Sequence, residues 1–143
     1  SKYTEKEKAK LYIANVDYKK YPRYQYTRKK DSTFYTTTKT LGNYQLLLDT
    51  IAPKLTPLFF KDEQWISNAT NLKVKVSDAD SGIKNYLATI DDEWILMEYN
   101  HKKGILTYNF KDKKLVGSKH IFKLVVLDNA SNTNTLIRTF YKK

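Results

Sequence analysis

The chain has 143 residues, 41% of them hydrophobic, so it is long enough for one ordinary domain and apolar enough to form a core. It has no cysteine, which excludes disulfides, cysteine nucleophiles and thiolate zinc sites, and it has no apolar run long enough to span a membrane. Its net charge of +11 comes mostly from lysine, which lacks the planar fork that reads bases. The charge therefore predicts a soluble, lysine-coated surface rather than a specific nucleic-acid site.

Residues 1–50 predict a small β segment. The lysine-rich stretch Tyr3–Ala9 is long enough for only a turn or two of helix. Four short strands follow as a predicted meander: Lys10–Val16, Tyr24–Thr27, Thr33–Thr38 and Asn43–Leu48. Strands this short bury too little surface to stand alone, so we expect the segment to dock on its neighbour or to end a truncated domain. Leu46, Leu48 and Ile51 should be buried in that contact, and the edge of a truncated sheet would invite pairing with a second molecule.

Residues 51–143 predict a β-sandwich. Seven stretches have strand composition: Leu55–Phe60, Leu72–Val76, Ile83–Ile90, Trp94–Tyr99, Ile105–Phe110, Ile121–Leu127 and Thr135–Tyr141. Asn100–Gly104 closes a hairpin in which glycine supplies a positive φ. Seven short strands separated by turns are typical of an immunoglobulin-like sandwich. The sequence therefore predicts an all-β protein, an antiparallel immunoglobulin-like sandwich of about seven strands preceded by a small β meander.

Polar residues stand where three of these strands begin or end. In a Greek-key sandwich the second and sixth strands run in the same direction, so their exits and the entry to the first strand lie at one end. We expect six side chains to gather there, facing residues 1–50: Asp49, Asp78, Asp80, Asp128, Asn129 and Asn132. Two interpretations are open. Each side chain caps its own turn, or their oxygens bind calcium at an interdomain joint.

The chain offers little for catalysis. Its two histidines differ in context, since His101 lies in a hairpin turn and His120 opens a strand. A histidine-based zinc site needs more ligands than these, and no serine or threonine stands in a recognisable pattern with a base. We therefore predict no catalytic, cofactor-binding or metal residues, and we expect that the chain is not an enzyme. His120 is expected to hydrogen-bond a neighbouring loop.

Aromatic residues suggest an alternative function. Exposed aromatic rings stack on sugars, so the alternative hypothesis for the function is a carbohydrate-binding or adhesion module. Trp65 falls in a predicted turn and is the better surface candidate, whereas Trp94 opens a strand and is predicted to be core. The remaining candidates are four tyrosines in one N-terminal stretch: Tyr18, Tyr21, Tyr24 and Tyr26. Packing across neighbouring strands explains Tyr24 and Tyr26 equally well.

Several phrases together resemble a known family. They are Asp49-Thr50-Ile51-Ala52-Pro53, Asp80-Ser81-Gly82-Ile83, Ile90-Asp91-Asp92-Glu93-Trp94, Glu98-Tyr99, Gly117-Ser118-Lys119-His120 and Leu127-Asp128-Asn129-Ala130-Ser131-Asn132. This set resembles the C-terminal immunoglobulin-like region of Bacteroidetes lysostaphin-like zinc metallopeptidases, which are peptidoglycan endopeptidases. Ser131 departs from the family, where glycine is common, and the zinc-binding motifs of the peptidase domain are missing.

The resemblance implies a function for a chain without the catalytic domain. It implies a non-catalytic accessory module of a cell-envelope enzyme, acting as spacer or substrate-positioning domain. The expected location is outside the cytoplasm of a bacterium. The expected partners are a cell-wall polymer or neighbouring domains of the same polypeptide.

Overall fold

The computed structural model describes residues 2–17 and 21–143. Within them one helical turn, α1 (Glu5–Lys8), begins at the N-cap Thr4, whose side chain and that of Glu7 bond each other's backbone amides. The strands are β1 (Leu11–Asn15), β2 (Arg23–Gln25), β3 (Arg28–Lys30), β4 (Thr33–Tyr35), β5 (Tyr44–Leu48), β6 (Lys54–Leu58), β7 (Gln64–Trp65), β8 (Asn71–Ser77), β9 (Ile83–Ile90), β10 (Glu93–Trp94), β11 (Glu98–Asn100), β12 (Ile105–Asn109), β13 (Lys119–Asp128) and β14 (Thr133–Tyr141). Nothing helical in these two ranges has the length and apolar character needed to cross a membrane.

The N-terminal part is β-structured, as predicted. It contains a three-stranded antiparallel sheet of order β2-β1-β5 and a separate hairpin of β3 and β4. The central strand β1 is buried on both faces, through Leu11 on one and Tyr12 and Ala14 on the other. Strand β5 pairs with β1 rather than with β4, so these strands do not form the predicted meander. The outer edge of β5 has no strand beside it among the described residues.

The larger part is a two-sheet sandwich. One sheet has the order β10-β9-β13-β14-β7 and the other β11-β12-β8-β6. Counted along the chain, the first, second, fourth and fifth main strands (β6, β8, β11 and β12) form one sheet. The third, sixth and seventh (β9, β13 and β14) lie in the other, with the two-residue strands β10 and β7 at its edges. This is the immunoglobulin arrangement. Alternation along β13 turns Phe122, Leu124 and Val126 into the core, where each is fully buried. The predicted all-β, immunoglobulin-like fold is confirmed.

The predicted strand Trp94–Tyr99 is two strands on different sheets. Strand β10 pairs with β9, while β11 pairs with β12 across the sandwich, and Ile95 and Met97 are buried where the chain crosses over. Trp94 pairs with Thr89, whose neighbours Ala88 and Ile90 point inward. Trp94 therefore faces solvent and is 62% exposed, so its prediction as a core residue is wrong.

Residues 1–50 contact the sandwich at the predicted end. The ammonium group of Lys10 donates to the carbonyl oxygen of Ser131 at 2.9 Å. The predicted buried contacts are wrong: Leu46, Leu48 and Ile51 are 39%, 37% and 66% exposed. The reason is that β5 is an edge strand, so the central strand β1 supplies the buried apolar residues instead. The division of the chain at residue 50 stays a prediction.

Candidate functional site

The structure gathers the six predicted polar residues at one end of the sandwich, together with Ser81, which was not predicted. We call this group the aspartate joint: Asp49, Asp78, Asp80, Ser81, Asp128, Asn129 and Asn132. Strand β8 ends just before Asp78, β13 ends at Asp128, and Asp49 lies between β5 and β6. Carboxylate oxygens of Asp49, Asp78 and Asp128 all lie within 4.8 Å of one another. Asp49 and Asp128 are fully buried, which is unusual for aspartate and requires hydrogen-bond partners.

Asp128 holds the turn that follows β13. Its Oδ1 accepts from the backbone amides of Ala130 and Asn132, each at 2.8 Å. Its Oδ2 accepts from the side-chain amide of Asn132, also at 2.8 Å. Within this turn Ser131 has a φ of 62°, which is the left-handed conformation that glycine favours. Glycine is common at this position in the family that the sequence resembles.

Asp49 connects the two parts of the chain. Its Oδ1 accepts from the amide of Ile51 at 3.0 Å, and its Oδ2 accepts from the amide of Ser81 at 3.1 Å. Its carbonyl oxygen accepts from the side-chain amide of Asn132 at 3.1 Å. A single buried residue thus links the entry to β6 with the turns after β8 and β13.

Further bonds tie the turn after β8 to the turn after β13. The side-chain amide of Asn129 donates to the carbonyl oxygens of Ser81 and Gly82, at 2.9 and 3.1 Å. The buried hydroxyl oxygen of Ser81 accepts from the amide of Ala130 at 3.2 Å. These contacts fix the two loops against each other, which the sequence-based capping interpretation did not anticipate because it considered each turn separately.

The joint carries excess negative charge. Burial, followed by the charges of Asp49 and Asp128, raises the pKa of Asp78, although the amide of Gly82 donates to its carboxylate at 2.6 Å. Burial and the same two charges also raise the pKa of Asp80. Burial first, and then the carboxylates of the joint, raise the pKa of Tyr12 to about 12. The neutral phenol of Tyr12, in strand β1, therefore packs against the acidic end of the sandwich.

The contacts match the capping interpretation, because the carboxylates of Asp49, Asp78 and Asp128 all accept backbone amides. Their mutual separation also supplies the oxygen cluster that the calcium interpretation requires. A calcium titration separates the two interpretations.

His120 bonds neighbouring loops, as predicted, but from a fully buried position. Its Nδ1 lies 2.7 Å from Oδ2 of Asp91 and its Nε2 lies 3.2 Å from the carbonyl oxygen of Gly117. Asp91 also accepts from the amide of Ile121 at 2.8 Å. His101 is exposed in the turn between β11 and β12 and its ring lies 4.3 Å from that of Tyr99.

The aromatic candidates fall in different surroundings. Tyr21 and Tyr26 are exposed, whereas Tyr24 is half-buried and its ring lies 5.9 Å from that of Tyr12. Tyr18 lies outside the described residues. Trp65 is 53% exposed and stacks on Tyr141 with their ring centroids 5.2 Å apart.

Sequence reasoning missed an apolar surface on the outer face of the five-stranded sheet. Five large side chains there are about half exposed or more: Trp65, Leu87, Trp94, Ile121 and Ile137. The sequence signal for this surface is that β13 has apolar residues on both faces. In a strand with one face in water, apolar and polar residues normally alternate.

No family model matches the chain, and no curated protein matches it either. Among solved structures, an endo-β-1,4-mannanase from Thermotoga petrophila superposes with a TM-score of 0.53 at 12% identity, over 66% of this chain and 20% of that one. This chain therefore spans about a fifth of the mannanase chain.

Two smaller proteins are also similar. CopC from Methylosinus trichosporium OB3b gives a TM-score of 0.46 at 11% identity, over 63% of this chain and 94% of that one. The fibronectin(III)-like modules of Clostridium thermocellum CbhA give 0.48 at 14% identity, over 94% of this chain and 78% of theirs. At such identities, likeness concerns the fold alone.

Proposed function

We propose that the chain is a non-catalytic, immunoglobulin-like accessory module of a bacterial cell-envelope peptidoglycan metallopeptidase, acting outside the cytoplasm as a spacer or substrate-positioning domain. The observation that carries the proposal is the aspartate joint. A spacer that sets the orientation of its neighbours needs a stiff connection, because a flexible linker leaves orientation undefined. The joint supplies such a connection between β5 and β6.

The stiffness comes from backbone contacts on both sides of Ile51. The side-chain amide of Asn132 holds the carbonyl oxygen of Asp49, and that of Asn134 holds the carbonyl oxygen of Pro53 at 2.8 Å. Residues 43–53 contain no glycine, and Pro53 restricts its own φ and the conformation of Ala52. The direction in which the chain enters the sandwich is therefore defined by hydrogen bonds and by backbone stereochemistry.

The histidines support a non-catalytic role. Both ring nitrogens of His120 face oxygen atoms of Asp91 and Gly117, so neither is free to bind zinc without breaking a buried contact. His101 is then the one accessible histidine in the sequence, and a zinc site requires further ligands.

The proposal is tested by activity and by rigidity. The purified chain should neither cleave peptidoglycan nor bind zinc stoichiometrically, and either result would overturn the non-catalytic role. In amide nitrogen-15 relaxation, residues of β1 and of β13 should report one common tumbling time. Two independent tumbling times would overturn the spacer role. Co-sedimentation with insoluble peptidoglycan then separates the two forms of the proposal, because a positioning domain binds the polymer and a pure spacer does not.

One observation favours a second candidate, a carbohydrate-binding or adhesion module. Trp65 packs one ring face on Tyr141, has Lys143 Nζ 5.6 Å from its ring centroid, and still exposes half of its surface. A sugar could stack on such a ring. Cell-wall glycan should then change tryptophan fluorescence and Trp65→Ala should abolish the change, while Trp94→Ala is the matched control. Fluorescence that glycan leaves unchanged would contradict this candidate.

A further inference from the structure

Strand β5 has a free edge whose backbone groups have no partner among the described residues. Around the β1–β5 pair, the amide of Val16 donates to the carbonyl oxygen of Asn43 and the amide of Asp49 donates to that of Lys10. Because such bonds recur every second residue, the odd-numbered residues of β5 point their backbone groups toward β1. The amide and carbonyl groups of Tyr44, Leu46 and Leu48 therefore point outward, away from the sheet.

The edge lacks the usual protection against pairing. Natural proteins shield exposed edges with lysine, proline, bulges or covering loops. Here residues 40–53 contain no lysine or arginine, although 26 of the 143 residues are basic. The one charged residue in that range, Asp49, is buried. The strand thus presents two partly exposed leucines, Leu46 and Leu48, beside backbone groups that have no partner in the described part of the chain.

There is open space on both sides of this edge. On one face, clefts of about 480 and 470 Å³ are each lined by Leu46 and by Phe34 of the β3–β4 hairpin. On the other face, a cleft of about 540 Å³ is lined by Gln45 and Leu47. These clefts lie beside Leu46 on one face of β5 and beside Leu47 on the other.

We propose that β5 is a self-association surface and that its partner is the β5 strand of a second copy of this chain, paired antiparallel about a two-fold axis at Leu46. The outward residues are spaced symmetrically about Leu46, so Leu46 faces its own copy and Tyr44 faces Leu48 of the other molecule in both directions. Each facing pair exchanges two backbone bonds, giving about six across three pairs. The result is a continuous sheet of order β2-β1-β5-β5-β1-β2.

The observations favour a second copy over an unrelated strand. An isologous interface must be self-complementary, and the outward backbone groups of β5 satisfy this because the same three residues fit each other in antiparallel register. In a chain of charge +11, most surfaces would repel a second copy, whereas residues 40–53 contribute no positive charge, and the basic residues beside Leu46 are Lys8 and Lys29.

The test is the oligomeric state of the full chain, measured by sedimentation equilibrium over a range of concentrations. We expect a reversible monomer–dimer equilibrium. Leu46→Lys places two ammonium groups face to face at the two-fold axis, so it should weaken dimerisation at least tenfold. Ile137→Lys, which adds the same charge at an exposed position on β14, should leave the equilibrium unchanged. A native chain that stays monomeric at all concentrations overturns the proposal.

Register is tested by disulfide trapping, which is clean because the chain has no cysteine. Facing residues of a hydrogen-bonded antiparallel pair have Cα atoms about 5.5 Å apart, within the range of a disulfide. Leu46→Cys should therefore crosslink to its copy under mild oxidation, whereas Gln45→Cys, displaced from the axis, should crosslink much more slowly. Circular dichroism confirms that each variant is folded. A dimer in which Leu46→Cys fails to crosslink, or in which Leu46→Lys has no effect, assigns another interface and overturns the proposal.

Discussion

Asn132 lies 83 residues after Asp49 in the sequence, yet its side-chain amide donates to the carbonyl oxygen of Asp49 at 3.1 Å. The same amide donates to the Asp128 carboxylate at 2.8 Å. One side chain thus joins the entry of the first sandwich strand to the turn after the central one. The stability of the joint depends on this bridge.

Asn132→Ala should lower the free energy of unfolding by about 2–4 kcal/mol, because it leaves two buried acceptors without a donor. Urea denaturation measures the change. Asn68→Ala, at an exposed asparagine, is the matched control and should stay within about 0.5 kcal/mol of the native chain. Equal effects of the two substitutions would show that the bridge adds no stability.

The stability that Asp78 contributes should fall as pH rises from about 4 toward neutrality, because its pKa is raised in the folded state. Because the folded state holds this proton to higher pH than the unfolded state, it binds more protons in that interval, and ionisation at neutral pH costs stability. Asp78→Asn keeps an acceptor for the amide of Gly82 but cannot ionise. It should therefore be more stable than the native chain at pH 7 and approach it at pH 4.

Urea denaturation at both pH values measures this difference. The same substitution at Asp112, in the exposed turn after β12, is the control. Parallel pH profiles for Asp78→Asn and the native chain would contradict the electrostatic account of the joint.

Ser131→Gly should stabilise the protein by about 0.5–1 kcal/mol, because Ser131 has a φ of 62° and glycine adopts this conformation without steric cost. Thermal unfolding followed by circular dichroism measures the gain. Ser118→Gly removes the same side chain at a residue without a positive φ and should not stabilise. A loss of stability in Ser131→Gly would show that the serine side chain itself is needed in the turn.

The turn between β9 and β10 provides an internal comparison, since Asp91 and Asp92 both have positive φ, at 52° and 64°. Asp92→Gly should stabilise by about 0.5–1 kcal/mol by relieving that conformation. Asp91→Gly should instead destabilise by about 2 kcal/mol, because it removes the carboxylate that holds His120 and the amide of Ile121. Urea denaturation of both variants checks the signs, and identical signs would contradict the roles assigned here.

Calcium distinguishes the two interpretations of the joint. If hydrogen bonds to backbone amides are its function, millimolar calcium or a chelator should leave the unfolding temperature unchanged. A concentration-dependent rise that Asp128→Asn abolishes would establish a cation site, since a ligand that binds only the folded state stabilises it. Differential scanning fluorimetry with magnesium as the control cation gives the answer.

The sequence by itself determined the strand content and the meeting of the aspartates. Alternation along Leu72–Val76 predicts which side chains enter the core, because side chains of a strand point to opposite faces in turn. The long apolar run Ile121–Leu127 predicts a central strand. Greek-key topology then brings Asp49, Asp78 and Asp128 to one end. Both inferences use regularities that are present within short stretches of the chain.

Only the tertiary structure decided which faces and edges meet water. Strand β7 is two residues long and exists because the amide of Glu63 donates to the carbonyl oxygen of Thr139, a partner far away in sequence. Trp94 is exposed because it pairs with Thr89 on the outer face, and Leu46 is exposed because β5 pairs on one side only. The periodicity of a strand shows which of its residues share a face. Whether that face is buried depends on which strands pair beside it and which sheet packs on it.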